Sequence, residues 1–164
     1  MRSFSDAGRA MGPETRVNTA RNAAESRPTL DVNGDQIVVA WQALGGPLDR
    51  GRSGVVARRF ALDGTPLSGE FLVNQTTEGR QFDPSVALLK DGTIVVGWSG
   101  RGPADTSGIF VREFFADGTP RAHEQRINGN VADVQKDLTV RPQTIGRYVV
   151  AWDGNVGAPA TSGV

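Results

Sequence analysis

DPSVALLKDGTIVVGWSGRGPADTSGIFVREFFADGTPRAHEQRIN (83–128) decides the fold, because the chain contains it more than once. RPTLDVNGDQIVVAW (27–41) and GVVARRFALDGTPLSGEFLVN (54–74) repeat it part for part. A third copy is split. DLTVRP (137–142) and RYVVAW (147–152) carry its first half, and residues 1–18, ending MGPETRVN (11–18), carry its second. Joined end to start, TSGV (161–164) and MRSF (1–4) line up with the segment beginning at Ser53 and with the one beginning at Ser107. Three anchors fix the period. Trp41, Trp98 and Trp152 recur at intervals of 57 and 54 residues. Asn18, Asn74 and Asn128 recur at 56 and 54, as do Phe4, Phe60 and Phe114. A period slightly above 50 is the mark of a propeller, solenoid or array.

Each period predicts four short strands, because β-branched and aromatic runs alternate with Gly, Asn, Asp and Pro. The first covers 27–32, 83–89 and 137–142. The second covers 36–41, 93–98 and 147–152. The third covers 54–62 and 108–116, and the fourth 66–74, 120–128 and 11–18. Asn33-Gly34, Asp91-Gly92, Asp63-Gly64 and Asp117-Gly118 mark tight turns. TARNAAES (19–26) reads as a loop. From Ile37 to Trp41 the second strand is apolar on both faces, which predicts burial on both sides. The fourth is polar (Arg121, His123, Glu124, Gln125, Arg126), which predicts an outer strand. The expected fold is therefore all-β. It is a single domain, 1–164, of three four-stranded antiparallel β-propeller blades: 27–74, 83–128, and a split blade of 1–18 plus 137–164.

These units resemble the repeats of about fifty residues found in large secreted and surface proteins of bacteria. The resemblance rests on a Pro-Ser-Val start, an Asp-Gly turn, a Val-Val-x-Trp strand, a Gly-Val/Ile-x-x-Arg-x-Phe strand and a closing Val-Asn. It covers essentially the whole chain. It implies a propeller-like fold and an extracellular or cell-surface binding context, with no defined activity. Leu138 departs from the pattern where Pro28 and Pro84 stand in the other units.

Propellers use about four to eight blades, so three do not close a ring. The expected partner is a second copy. Residues 1–18 of one chain would complete the blade begun by 137–164 of the other, and the homodimer would close a six-bladed ring. The other reading open at this point is a piece of a longer propeller.

The 164 residues have a formal net charge of zero, which gives no global electrostatic reason to bind nucleic acid or an anionic membrane. Sixteen of the basic residues are Arg and two are Lys, and Arg favours bidentate recognition of carboxylate, sulfate or phosphate. With no cysteine, disulfides and Cys-bound metals drop out. No apolar run approaches the roughly 18 residues of a membrane span. The first residues carry no secretory apolar core, which leaves an intracellular protein, a removed leader or another export route open.

Ligand chemistry is expected at the end that carries the long loops, since function concentrates on loops held by a rigid scaffold. Those loops are 42–53, 99–107 and 153–162, with 19–27, 75–82 and 129–136. The candidate binding residues are Trp41, Trp98 and Trp152 as stacking platforms for a sugar ring. Arg50, Arg52, Arg80, Arg101, Asp105, Asp153 and Asn155 would be hydrogen-bond partners. The competing reading of each Trp is a core residue wedged between blades, which the apolar run before it favours. The recurrent Asn is expected to satisfy a local turn. His123, the single histidine, lies in a polar outer strand, so neither a catalytic triad nor a His-bound metal is expected. DVNGD (31–35) lacks the rest of a calcium loop and reads as a hairpin turn. No catalytic residue, metal or cofactor is assigned. The expected function is a non-enzymatic binding or adhesion module, with lectin-like carbohydrate binding through the long loops as its expected form. An assembly subunit that contacts another protein is the alternative. A glycoside-type hydrolase working through Asp105 or Asp153 is a third, weaker one.

Overall fold

The computed structural model describes residues 1–20, 24–49, 53–131, 133–144 and 146–154. Among them there is no helix, and the chain is all-β. The first sheet runs in the order β1 (Ala24–Asn33), β2 (Gln36–Leu44), β3 (Gly54–Ala61), β4 (Phe71–Leu72). The second repeats it with β5 (Gln81–Leu88), β6 (Ile94–Gly102), β7 (Asp105–Phe114) and β8 (Gln125–Arg126). A two-stranded sheet pairs β9 (Gln135–Pro142) with β10 (Tyr148–Gly154). All pairings within these sheets are antiparallel.

The register repeats with the sequence. Ile37 lies opposite Phe60 and Trp41 opposite Val56. Ile94 lies opposite Phe114 and Trp98 opposite Phe110. The Asp-Gly-Thr turns are built alike. Gly64, Gly92 and Gly118 have φ of +89°, +83° and +88°, the left-handed region that glycine enters without a Cβ penalty. The carboxylates of Asp63, Asp91 and Asp117 accept from the backbone N–H of Thr65, Thr93 and Thr119. These bonds favour the ionised form. The Thr N–H bonds hold Asp63 and Asp91 below the usual carboxylate range, and for Asp117 the Thr119 hydroxyl contributes first.

Two sequence expectations are modified. β1 begins at Ala24, inside a stretch read as loop, because Glu25 and Ser26 pair with Ala43 and Gln42. Between Ser26 and Thr29 the ladder slips at Arg27, whose φ is +54°. Asp83 and Asp137 hold the same position in their units with φ of +51° and +53°. The bulge, and not a loop, separates the two parts of the strand. The fourth strand is also much shorter than expected. It pairs at Phe71–Leu72 and Gln125–Arg126, with single bridges at Pro66 and Pro120. Proline has no N–H for a ladder. Beside it, the Ser68 hydroxyl takes the Arg59 N–H instead.

Residues 1–18 adopt the corresponding hairpin, since Phe4 bridges Ala10 as Phe60 bridges Pro66 and Phe114 bridges Pro120. The units stand in an open row in chain order. Met1 and Val17 pack on Ile37, Val39, Trp41 and Phe60 of the first sheet. The other face of that sheet (Val38, Ala40, Val55, Ala57) meets Val86, Leu88, Val96 and Trp98 of the second. The far face of the second (Ala87, Leu89, Val95, Ile109) meets Leu138, Val140 and Val150. This explains why the second strand has no polar face: in each complete sheet it is covered on both sides.

An arginine ties one unit to the next. The Arg58 guanidinium lies 5.2 Å over the Phe60 ring, donates from Nε to Ser68 O (3.1 Å), and reaches the preceding hairpin at Val17 O (2.9 Å). Arg112 repeats this on Phe114, Ala122 O and Val73 O, with the same three distances. The Gly-Val/Ile-x-x-Arg-x-Phe motif is thus a latch between units, combining cation–π contact with two backbone hydrogen bonds.

Candidate functional site

The recurrent Asn does more than close a local turn. Asn128 accepts from the Ile109 N–H (2.8 Å) and donates to Asp105 Oδ2 (2.8 Å) and Asn130 O (2.6 Å). Asn74 accepts from Val55 N–H (2.8 Å) and donates to Asp49 Oδ2 (3.0 Å) and Thr76 O (2.9 Å). The bond to the residue two positions on is local; the other two cross from the end of the fourth strand to the third strand and the loop before it. A Cβ at Gly108 would come 2.6 Å from Asp105 Oδ2, and one at Gly54 would come 2.3 Å from Asp49 Oδ2. That accounts for the glycine in Ser53-Gly54-Val55 and in Ser107-Gly108-Ile109. Asp105 is therefore buried and hydrogen-bonded within the scaffold.

The tryptophans divide. Trp98 is wholly buried and stacks on Phe110, with ring centroids 6.1 Å apart. Trp41 is buried as well, whereas Trp152 is partly exposed. The residue two positions before each bulge faces the indole. Trp152 Nε1 donates to Gln135 Oε1 at 3.0 Å. In the second sheet Gln81 holds the same place, where its Oε1 and Trp98 Nε1 are both buried without a partner. Gln81 Nε2 is fixed by Glu78 O and Arg101 O, each at 3.0 Å. In the first sheet the residue is Glu25.

That exchange of Gln for Glu opens into a hollow of about 150 Å³, lined by Val17, Asn18, Glu25, Ser26, Pro28, Val39 and Trp41. Burial pushes the Glu25 carboxyl above the usual glutamate range. Asn18 hydrogen bonding opposes this, the Glu70 charge adds to it, and Arg16 counters. The Trp41 indole N–H comes near the Glu25 carboxylate, yet it has no hydrogen-bond partner. Asn18 does not repeat the network of Asn74 and Asn128. Its Nδ2 donates to Ala20 O (2.9 Å) and its Oδ1 accepts from Arg16 Nε (3.2 Å).

A second hollow, of about 320 Å³, is lined by Arg101, Gly102, Ala104, Asp105, Thr106 and Val131. Arg101 and Asp105 are thus brought together, and Arg80 adjoins them through the bond from Arg101 N–H to Arg80 O (2.9 Å). The Arg101 guanidinium pairs with Glu78 at 3.2 Å, and Arg80 lies over Phe82 at 5.8 Å. Asp153 is exposed on β10, in the separate two-stranded sheet. Arg50, Arg52 and Asn155 lie outside the described residues. Sequence reasoning passed over Glu25 and read Asn18 as closing a local turn, which its bond to Ala20 O does. The signal was available in Glu25 standing in a column otherwise held by Gln81 and Gln135.

No family model matches the chain, and no curated protein matches it in sequence. Among solved structures it is similar to one described as a glycoside hydrolase, with 11% identity and a TM-score of 0.41. The match covers 77% of this chain and 46% of that one, so the chain spans less than half of that protein's length. A likeness at that level carries no argument about chemistry.

Proposed function

We propose that the chain is a non-enzymatic, lectin-like binding module built of β-propeller blades, with its ligand face at the end that carries the long loops. The observation that carries the reading is the break in the repeat at Glu25. At the corresponding positions, Gln135 Oε1 accepts from the Trp152 indole N–H, and Gln81 is buried with its Nε2 held by the carbonyls of Glu78 and Arg101. Beside Glu25, the Trp41 indole, the Glu25 carboxyl and the Asn18 carboxamide line one small hollow. A cavity of about 150 Å³ takes one six-membered ring. A carboxylate that accepts from hydroxyls, with an apolar indole wall, suits a sugar ring. The second hollow, lined by Arg101 and Thr106, lies at the same end and offers a further subsite. In the same reading the protein is a homodimer whose two chains close a ring of six blades, and a multivalent ring gains avidity from weak single sites.

Glu25→Gln restores the residue of the sister units. It is expected to lower affinity for a bound mono- or disaccharide at least tenfold in a titration followed by NMR. The fold is expected to survive. A carboxyl raised by burial favours the folded state at low pH, and that advantage is lost as pH rises through its folded value. The variant is therefore expected to match the parent near pH 4 and to exceed it in denaturant midpoint above the ordinary value of 4.5. Equal sugar affinity in the two proteins, or a glycan panel without a binder, would sink the lectin-like reading.

A further inference from the structure

The row of units ends in two surfaces that match each other. Phe4 is 59% exposed, whereas Phe60 and Phe114, at the same repeat position, are 0% and 1% exposed. Trp152 is 37% exposed against 3% for Trp41 and 0% for Trp98. Leu30 and Val32 on β1 are exposed, while their counterparts Val86 and Leu88 on β5 are buried against the preceding sheet. Val149 is exposed, while Val38 and Val95 are buried against the following one. Arg2 makes two of the three contacts of its latch, over Phe4 at 6.0 Å and to Gly12 O at 2.9 Å. The third, to the unit before it, has no counterpart among its hydrogen bonds.

These positions fall into two groups. Phe4, Leu30, Val32 and Arg2 face the side where a preceding unit would stand. Trp152 and Val149 lie on β10, which among the described residues is paired on one edge only, with β9. Within one chain the groups cannot meet. The hairpin 1–18 covers one side of the first sheet, and β9–β10 covers the opposite side of the second.

We infer that β10 is the docking edge for residues 1–4 of a second copy of this chain, in the register that the two complete sheets define. The inference rests on the homodimer reading above and adds its surface and its pairing. Ile37 opposite Phe60 and Ile94 opposite Phe114 place Tyr148 opposite the second copy's Phe4. Val149 then faces Ser3, Val150 faces Arg2, and Ala151 faces Met1. Val149 comes to cover Leu30 and Val32, as Val38 and Ala40 cover Val86 and Leu88 within the chain. Arg2 reaches the carbonyl of Ile127, as Arg58 reaches Val17 and Arg112 reaches Val73. A second copy fits this edge better than an unrelated strand would, since each exposed position then meets the residue type it meets in a complete sheet. The joint occurs twice in a dimer about a two-fold axis, so the assembly is closed.

Cysteine cross-linking tests the register on a background free of native cysteine. Residues directly opposite in an antiparallel pair have Cα atoms about 4.5–5.5 Å apart, within disulfide range. Both Ser3 and Val149 are exposed, so the substitutions leave the core alone. The double variant Ser3→Cys/Val149→Cys, oxidised in dilute solution, is expected to run as a covalent dimer on a non-reducing gel. Each single variant is expected to remain at the monomer mass. Light scattering on the parent protein separates the two levels of the claim. A dimer mass without the paired cross-link overturns this register and leaves the homodimer standing. A monomer mass overturns both. Equal cross-linking of the single variants also overturns the register.

Discussion

Trp98→Ala is expected to lower the free energy of unfolding by about 3–5 kcal/mol, the range for deleting a large buried aromatic side chain. Trp152→Ala, at the same position of the repeat, is expected to cost about 1 kcal/mol or less in the dissociated chain, and more where a second copy covers β10. The two side chains differ in surroundings and not in type. Trp98 has no exposed surface and fills the space between the first and second sheets, against Phe110 and among Val55, Ala57 and Val96. Trp152 retains more than a third of its surface and has one hydrogen bond, to Gln135. Urea unfolding at one pH measures both, with the slope compared to establish that the denatured states are alike. Domains of this size are stable by about 5–15 kcal/mol, so the first variant loses a large share of its margin. A loss of about 1 kcal/mol or less for Trp98→Ala would mean that Trp98 is not packed as described.

The same contrast explains what could be read in advance. The Asp-Gly turns and the doubly buried second strand depend on residues within a few positions of one another, and the period on residue identities that recur along the chain, so all three are carried by the sequence directly. The reading of Trp98 as core followed from the apolar run that ends in it. The roles of Asp105 and of the recurrent Asn were not legible in that way. Asn128 and Asp105 are 23 residues apart and meet because β7 and β8 bring the ends of a hairpin together. A propensity for local turns describes one of the three Asn bonds and misses the other two. Asp105 read as a loop carboxylate free to bind a ligand, because nothing nearby in sequence neutralises or partners it.

Glu25 was hidden for a different reason. The segment before Arg27 lacks β-forming residues, so it read as loop, and its pairing with β2 across a bulge is a tertiary effect. Once the bulges at Arg27, Asp83 and Asp137 are aligned, the column Glu25, Gln81, Gln135 becomes visible. Repeat proteins offer this comparison within one chain. Positions that agree across units tend to hold the units together, as Arg58 and Arg112 do. Positions that differ, where the scaffold is otherwise the same, are where a ligand or a partner can be accommodated.

The Asn–Asp pair gives the second large effect, and its pH dependence is diagnostic. Asn128→Asp keeps the acceptor for the Ile109 N–H but replaces the donor that faces Asp105 Oδ2 with an oxygen. Both side chains are buried. Two carboxylates sharing such a site do not both ionise, so one proton is held between them well above the usual aspartate value of about 3.9. A folded-state pKa raised above the unfolded one contributes stability that is present at low pH and lost as pH rises through the folded value. The variant is expected to lie close to the parent near pH 3.5. It is then expected to fall behind by up to about 1.4 kcal/mol per pH unit, until the folded pKa is passed. Asn128→Ala behaves otherwise. It strips a partner from the Ile109 N–H and from Asp105 together, each loss costing about 1–3 kcal/mol, and it introduces no new proton site. Its deficit is expected to be much the flatter of the two between pH 4 and pH 8. Denaturant midpoints of the three proteins across that range separate the cases. Parallel pH curves for Asn128→Asp and Asn128→Ala would mean that residue 128 does not face Asp105, and the Asn–Asp contact of the two complete sheets would have to be redrawn.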